Sequence, residues 1–476
     1  MNKRLSKILP PVFSILIFTS AFIYFTLRSS DQENSIQLSP ERIYYSDKFR
    51  DNTSYEKNDI TEAENILNVR LNVKAGVSEP KIVCSPADEN ILAVAANNFS
   101  GKENSATIFL STDKGKSWDE KQIPLSDKFE SSTYSDPYIE FDPDGNIDFI
   151  TVQRDLRNRS KEGLCFSKSS DNGDSWITNS EFVDYNGKEI IHLDKPKLVS
   201  SKNSKDQDLV FITWTEFKGL NSLILFAAST DGGATFSQSG TIDNNRVKFS
   251  SIVSNNNNEL FALYLKNDNE INIKKSFDNG SSWKEIDSRI SINPAGTFSN
   301  GQYLIKNNSE KGIRINSEPN VVLSGNSDLS VTYTSGSEKN DQSDIYYCKF
   351  LNSSSEFTKP VKVNSDNTNC DQFMPAISED RSGNIFIVYQ DSRDDDSNIL
   401  ISTYLSYSTD GGKTFYDKKI SLKSFDPGNI SVRNYISDHN SCVFAGNQLV
   451  AVWTDGRNNN FDLYAGIISY DDIIKH

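Results

Sequence analysis

Ser111-Thr-Asp113-Lys-Gly115-Lys-Ser117-Trp118 is one of five segments built on a single pattern, Ser-x-Asp-x-Gly-x-Ser/Thr-aromatic. The others run from Ser169 to Trp176, Ser229 to Phe236, Ser276 to Trp283 and Ser408 to Phe415. Their aspartates are Asp113, Asp171, Asp231, Asp278 and Asp410. They recur about every sixty residues, a period that marks a repeat architecture. One double gap follows Asp278, where Leu351-Asn-Ser-Ser-Ser-Glu-Phe357 stands in place of a decayed copy. The pattern reads as a hairpin corner. The Asp carboxylate accepts backbone N–H groups across the turn and the hydroxyl closes the loop. The glycine supplies a positive φ, and the aromatic packs beneath. Such a corner asks nothing of a substrate.

The flanks repeat as well. A short strand often opens with an acid and a proline, as at Glu79-Pro80, Asp136-Pro137 and Glu318-Pro319, with variants at Lys195-Pro196 and Met374-Pro375. A turn such as Asp142-Pro-Asp-Gly-Asn146 follows, then an apolar strand such as Ile385-Phe-Ile-Val-Tyr389. A polar loop leads to a third strand that ends in the box. Second strands fall near Leu92, Phe149, Phe211, Phe261, Val331, Ile387 and Val450, and the last unit ends before a fourth strand. Ile66-Leu-Asn-Val-Arg-Leu-Asn-Val73 has the alternation to supply it. The expected fold is all-β, a propeller of four-stranded blades closed by the N-terminal strand. Seven blades are expected; six, with an insertion over residues 290–350, is the alternative.

Composition narrows the function. The chain has 476 residues, 65 of them acidic and 50 basic. A body this acidic repels phosphate backbones, which argues against nucleic acid as a partner. Three histidines are too few for His-rich zinc chemistry, and the five cysteines contain no C-x-x-C pair. Cys348 with Cys370 is the one disulfide the spacing suggests; otherwise the thiols read as small buried apolar groups. No metal or cofactor is expected. Asp394-Asp-Asp396 is a weak Ca²⁺ candidate that lacks EF-hand spacing and reads better as a solvated loop.

The first thirty residues contain four basic residues (Lys3, Arg4, Lys7 and Arg28) and no acid. The apolar run Ile8 to Leu27 is just long enough to span a bilayer. The positive flank keeps the N-terminus in the cytoplasm and the rest outside. The expected organisation is a basic tail at 1–7, a signal-anchor at 8–27, a polar stalk at 28–64 and the propeller at 65–476. A signal peptide cleaved after Ala21, releasing a secreted protein, is the alternative.

The five segments are similar to the Asp-box, or bacterial neuraminidase, repeat, and residues 66–470 therefore resemble the sialidase-like propeller superfamily. The resemblance implies an extracellular, glycan-directed protein whose partner is a glycan or glycoprotein. Its sialidase members imply an exo-glycosidase with three arginines on the sugar carboxylate, a Tyr–Glu nucleophile pair and an Asp acid/base. It also implies a site near the axis, on the face opposite the Asp boxes. Ser78 stands where the family's first signature arginine belongs.

Candidates on that face follow. Corners after second strands carry Asp155-Leu-Arg157, Asp391-Ser-Arg393 and Asp455-Gly-Arg457. Arg154, Arg393 and Arg457 are the substrate-binding candidates; the structural alternative pairs each corner arginine with its own aspartate. Asp136 is the candidate acid/base among the blade-entry acids Glu79, Asp136, Asp194 and Glu318. Tyr435 stands where the family's late tyrosine belongs and is the candidate nucleophile; the alternative is a packed tyrosine. Two functions stay open: a sialidase-like glycoside hydrolase, and a non-catalytic surface module that binds a glycan or protein.

Overall fold

The computed structural model describes residues 59–475 except 102–104, 127, 130–131, 159–160, 187–190, 220, 238–239, 256, 300–301, 306–311, 326, 338–342 and 431–433, and without the side chains of 180–186. The chain divides into Met1–Ser35 and Ile36–His476. The basic tail, the apolar run Ile8 to Leu27 and most of the expected stalk lie outside the described residues. Among the described residues no helix is long and apolar enough to cross a membrane.

Seven antiparallel sheets of four or five strands follow one another along the chain. Their innermost strands are Val77–Cys84, Ser132–Phe141, Ile191–Lys202, Val247–Ser254, Asn320–Leu323, Gln372–Glu379 and Ser441–Ala445. Each of these strands touches the next, and the seventh touches the first. The arrangement is that of a β-propeller. The seventh sheet takes Ser441–Ala445, Gln448–Asp455 and Asp462–Ser469 from the C-terminus, then Ile66–Arg70 and Ile60–Ala63 from the N-terminal side. Ile66 pairs with Ile468 and Val69 with Ala465. Residues 60–63 depart from the expected stalk. Glu64 and Asn65 both adopt positive φ, and this two-residue hairpin turn adds an outer strand.

Alternation explains why the strands are apolar on both faces. Ile385, Ile387 and Tyr389 enter one interface, between the fifth and sixth sheets. Phe386 and Val388 enter the next, between the sixth and seventh. Every sheet is thus sandwiched, and its middle strands need apolar residues in both registers. One apolar cluster fills each junction between consecutive sheets, including that of the seventh with the first.

The five box loops share one geometry. In the first, the Ser111 hydroxyl donates to Asp113 Oδ1 at 2.8 Å and accepts the Gly115 N–H at 2.8 Å. Ser117 donates its N–H to Oδ1 at 2.9 Å and its hydroxyl to Oδ2 at 2.6 Å. Asp171, Asp231, Asp278 and Asp410 repeat these contacts. The glycine is needed for space as well as for φ. A Cβ on Gly233, Gly280 or Gly412 would overlap the ring of Phe166, Phe226 or Tyr347, each on the third strand of the preceding sheet. The loops therefore lock neighbouring sheets together.

The region 290–350, the insertion of the six-bladed alternative, is divided. Thr297–Ser299, Gln302–Ile305 and Ile313–Ile315 form a separate three-stranded sheet. Asn320–Leu323 then starts a sheet like the others. Cys348 and Cys370 are both free thiols.

Candidate functional site

The antiparallel order puts two faces at opposite ends of the axis. The Lys114 and Gly232 N–H groups bond to the carbonyls of Asn90 and Asp208, which sets the box loops beside the turns between first and second strands. The other face carries the entries to the first strands.

Five entries are built alike. Glu79, Asp136, Lys195, Phe249 and Met374 have φ between 46° and 58°, each within a register shift of its strand. Each is a β-bulge that turns one side chain. Left-handed backbone costs a non-glycine residue about 1–2 kcal/mol, so the position must be held from outside. In three of the five the holding group comes from the second strand of the preceding sheet. Thr454 Oγ1 accepts the Glu79 N–H at 3.4 Å, Asn97 Oδ1 that of Asp136 at 2.9 Å, and Thr215 Oγ1 that of Phe249 at 3.0 Å. Proline follows in four of the five, where a bulge leaves an N–H with nothing to pair. In the third sheet the bulge residue is Lys195, not Asp194, so a cation stands where the sequence reading set an acid.

These bulges gather a buried cluster of charge. Lys195 Nζ lies 2.7 Å from Glu318 Oε2 and 3.4 Å from Asp438 Oδ2. Lys197 Nζ lies 3.1 Å from Glu318 Oε1. Arg314, on the inserted sheet, donates Nε to Asp438 Oδ1 at 3.1 Å and pairs with it again through Nη2. The Arg314 guanidinium also lies 4.9 Å from the centre of the Tyr435 ring. Tyr435 shares a hydrogen bond of 3.0 Å with Ser78 Oγ, and Asn97 Nδ2 donates to Glu79 Oε2 at 2.5 Å.

Two carboxyls of this cluster are driven apart. Burial, reinforced by the Asp438 charge, pushes Glu79 up to about 8. Burial also works against Asp438, but Arg314 and Lys195 hold it down at about 2. Burial opposes the Glu318 charge too, and Lys195 and Lys197 overcome it and hold the carboxyl well below its ordinary range. Burial and the same two lysines push the His439 imidazole down to about 3, so it is neutral.

Below the cluster runs an axial cavity of about 400 Å³ lined by all seven first strands. Asp438, His439 and Glu318 line its end nearest the bulges.

The sequence-derived candidates separate. Tyr435 is buried within the axial cluster. Asp136 is a bulge residue beside it, and its charge acts on Glu79. The three arginines sit in three other places. Arg154 pairs with Glu162 across its own sheet and lies 3.0 Å from His192 Nδ1. Arg393 donates Nε to Asp391 at 2.7 Å, reaches Asp417, and stacks 4.4 Å from the Tyr404 ring. Arg457 grips both oxygens of Asp455, at 2.9 and 2.7 Å, over the Tyr464 ring. Among the described residues lining the axial cavity, none of the three appears. Asp394 accepts from Tyr404, Ser402 and Lys419, and Asp395 from three backbone N–H groups. Sequence reasoning did not reach Arg314, Lys197 or Asn97. Lys195-Pro196, a variant of the acid-proline entry, was the one local signal for Lys195.

No protein-family model and no curated protein matches this chain. Solved structures of similar path include the α-L-arabinofuranosidase Arb93A from Fusarium graminearum, at 11% identity and a TM-score of 0.47 over 89% of this chain and 100% of that one. The α-L-arabinanase of Penicillium chrysogenum aligns at 11% identity and 0.45, over 88% and 99%. The NanB sialidase from Streptococcus pneumoniae aligns at 12% identity and 0.41, over 83% and 68%.

Proposed function

We propose that this chain is an exported, membrane-anchored, seven-bladed propeller that recognises a glycan at its axis and does not carry out sialidase chemistry. The observation that carries the reading is that the axial cations Lys195, Lys197 and Arg314 are already engaged by Glu318 and Asp438. Arg154, Arg393 and Arg457 are likewise engaged by Glu162, Asp391 and Asp455. An acidic sugar needs guanidinium forks of its own. Taking Arg314 from Asp438 would leave a buried carboxylate with Lys195 as its one remaining cation among the described residues, at a cost of up to about 3–5 kcal/mol. Ser78, in the place of the family's first arginine, agrees with this. The glycan-directed part of the reading rests on the five Asp-box-like loops and the propeller path. Export rests on the run Ile8 to Leu27 behind Lys3, Arg4 and Lys7.

One observation favours hydrolysis as a second reading. Glu79 keeps its proton near neutrality while Asp438 in the same cluster is ionised. Carboxyls with separated pKa values divide the roles of acid and base in glycoside cleavage. Binding to a glycan array, together with turnover of fluorogenic neutral glycosides and a sialoside, tests both. Array binding without turnover supports the binding module. Turnover of a neutral glycoside that Glu79→Gln abolishes supports the second reading. Turnover of the sialoside overturns the first. Fractionation tests the anchor: the intact N-terminus should stay with membranes after a high-salt wash, whereas a soluble chain beginning at Phe22 overturns anchoring.

A further inference from the structure

The charged side chains that line the axial cavity fall into two groups. Lys197 and Glu318 pair at 3.1 Å, Glu318 also meets Lys195 at 2.7 Å, and Asp438 is held by Arg314 and Lys195. Lys81 and Glu140 form the second group. Among the described residues, neither has an oppositely charged side chain within 4.0 Å.

Strand geometry brings these two to one stretch of the wall. Lys81 lies on Val77–Cys84 and Glu140 on Ser132–Phe141, the innermost strands of the first and second sheets, which touch. Glu140 follows Tyr138 by two residues, so the pleat turns both side chains the same way. The Lys81 ammonium lies 4.9 Å from the centre of the Tyr138 ring. All three residues are half-buried. Each charge acts on the other. Burial raises the Glu140 carboxyl above its ordinary range, and the Lys81 charge opposes that rise. Burial works against the Lys81 ammonium, and Tyr138 and Glu140 outweigh it and raise it.

Opposite charges that share a cavity wall and stay apart are partly desolvated without direct compensation. A ligand with one charge is attracted by one of them and repelled by the other. A ligand with both charges meets each with its opposite. Neutral donors complete the lining. Asn320 Oδ1 accepts the Ile377 N–H and Ser441 Oγ the Ile82 N–H, each at 3.1 Å, which leaves the Asn320 amide hydrogens and the Ser441 hydroxyl hydrogen for a ligand. A cavity of about 400 Å³ lies within the range for small-ligand pockets.

We infer that the axial cavity takes a zwitterionic amino sugar, with its acidic group on Lys81 and its ammonium on Glu140. This rests on the glycan-directed reading and adds to it the ligand class and two contacts. The acidic group is a compact anion that a single lysine meets as a point charge, so it does not call on the guanidinium forks of a sialic acid site. A sulfate ester and a phosphate ester share this chemistry, and the probes include both.

Glucosamine 6-phosphate and glucosamine 6-sulfate carry both charges. Glucosamine carries the ammonium alone, and glucose 6-phosphate and glucose 6-sulfate the anion alone. Affinities are measured by calorimetry on the full-length protein in a detergent without a sugar headgroup. At least one zwitterion should bind about tenfold more tightly than its one-charge counterparts, the gain from one charge-assisted hydrogen bond. Lys81→Met should remove that advantage without weakening glucosamine. Glu140→Gln should remove it without weakening the anion-only probes. Where a single variant fails to fold, Lys81→Met combined with Glu140→Gln leaves neither charge facing the other's vacancy, and it should bind one-charge and two-charge probes alike. A zwitterion preference that the folded variants retain places the ligand elsewhere and overturns the inference. A positive glycan array with zwitterions bound no more tightly than one-charge probes overturns the inference alone and leaves the glycan reading intact. A negative array with none of the probes bound removes both.

Discussion

The guanidinium of Arg314 closes on the carboxylate of Asp438 across 124 residues of chain, joining the inserted sheet to the entry of the seventh. Both side chains are buried. Removing one partner of a buried pair leaves the other charge uncompensated, which typically costs about 3–5 kcal/mol. Arg314→Ala should lower stability by that order in chemical denaturation. Arg314→Met combined with Asp438→Leu should recover part of the loss, because the two charges of the pair are removed together while Lys195 keeps only Glu318. A single variant that unfolds like the parent would show that the pair contributes nothing.

Glu79 gives the stability a pH dependence of known sign. Its folded pKa of about 8 lies above its ordinary value of 4.5, because burial disfavours the charge. The folded state therefore holds a proton that the unfolded state releases between those values. Stability falls as pH rises from about 4.5 to about 8 and is flat above, as far as this group decides it. Glu79→Gln should abolish that limb. Urea midpoints at pH 5, 6, 7, 8 and 9 should show the variant gaining on the parent up to pH 8. A constant difference across the series would remove the assignment.

His439 acts in the opposite sense. Burial and the two lysines push its folded pKa down to about 3, below the ordinary 6.5. The unfolded state then binds the extra proton, so stability is lost as pH falls below about 6.5. His439→Phe should flatten the acid limb between pH 6.5 and 4, read as melting temperature against pH.

The box glycines separate backbone strain from crowding. Gly411 has φ of 77° and nothing within 4 Å of a would-be Cβ, so Gly411→Ala meets only the left-handed backbone and should cost about 1 kcal/mol. Gly280 has φ of 84° and lies against the Phe226 ring of the preceding sheet. Gly280→Ala adds overpacking, typically about 1–3 kcal/mol more. Equal melting temperatures for the two variants would dissolve the interlock between box and neighbouring sheet.

The seam between the chain ends should be sensitive as well. Val69 is fully buried in the cluster joining the seventh and first sheets. Val69→Asp should detach Ile66–Arg70 and bare the edge of Asp462–Ser469, a template for association between chains. Size-exclusion chromatography should show aggregation, together with a large drop in melting temperature. A monomeric variant that melts like the parent would mean the strand is dispensable.

Much of the scaffold was legible because it is written locally. A box loop closes through contacts only two to four residues apart, such as Ser111 to Asp113 and Ser117 to Asp113. Alternation along Ile385–Asp391 already states that both faces of the strand are covered. Two of the acid-proline entries, Glu79-Pro80 and Asp136-Pro137, marked bulges, although the carboxylate does not hold the bulge; a Thr or Asn from the preceding sheet does. The Asp-x-Arg corners were legible in the same way, since Asp391 and Asp455 accept the N–H two residues on before they meet their arginines.

The axial cluster was not legible, because its members are neighbours only through the path of the whole chain. Ser78 and Tyr435 are 357 residues apart, and Lys195 and Glu318 are 123 apart. Arg314 comes from an insertion that carries no repeat, so no period pointed to it. Its effect on Asp438, like the protonation of Glu79, depends on desolvation, which exists only once the sheets have packed. The sequence by itself determined the repeated unit, its corners and the strand that completes the seventh sheet, since these follow from turn chemistry and a two-residue period. The tertiary structure alone decided which charges meet at the axis, because burial and ion pairing depend on distances that no local pattern encodes.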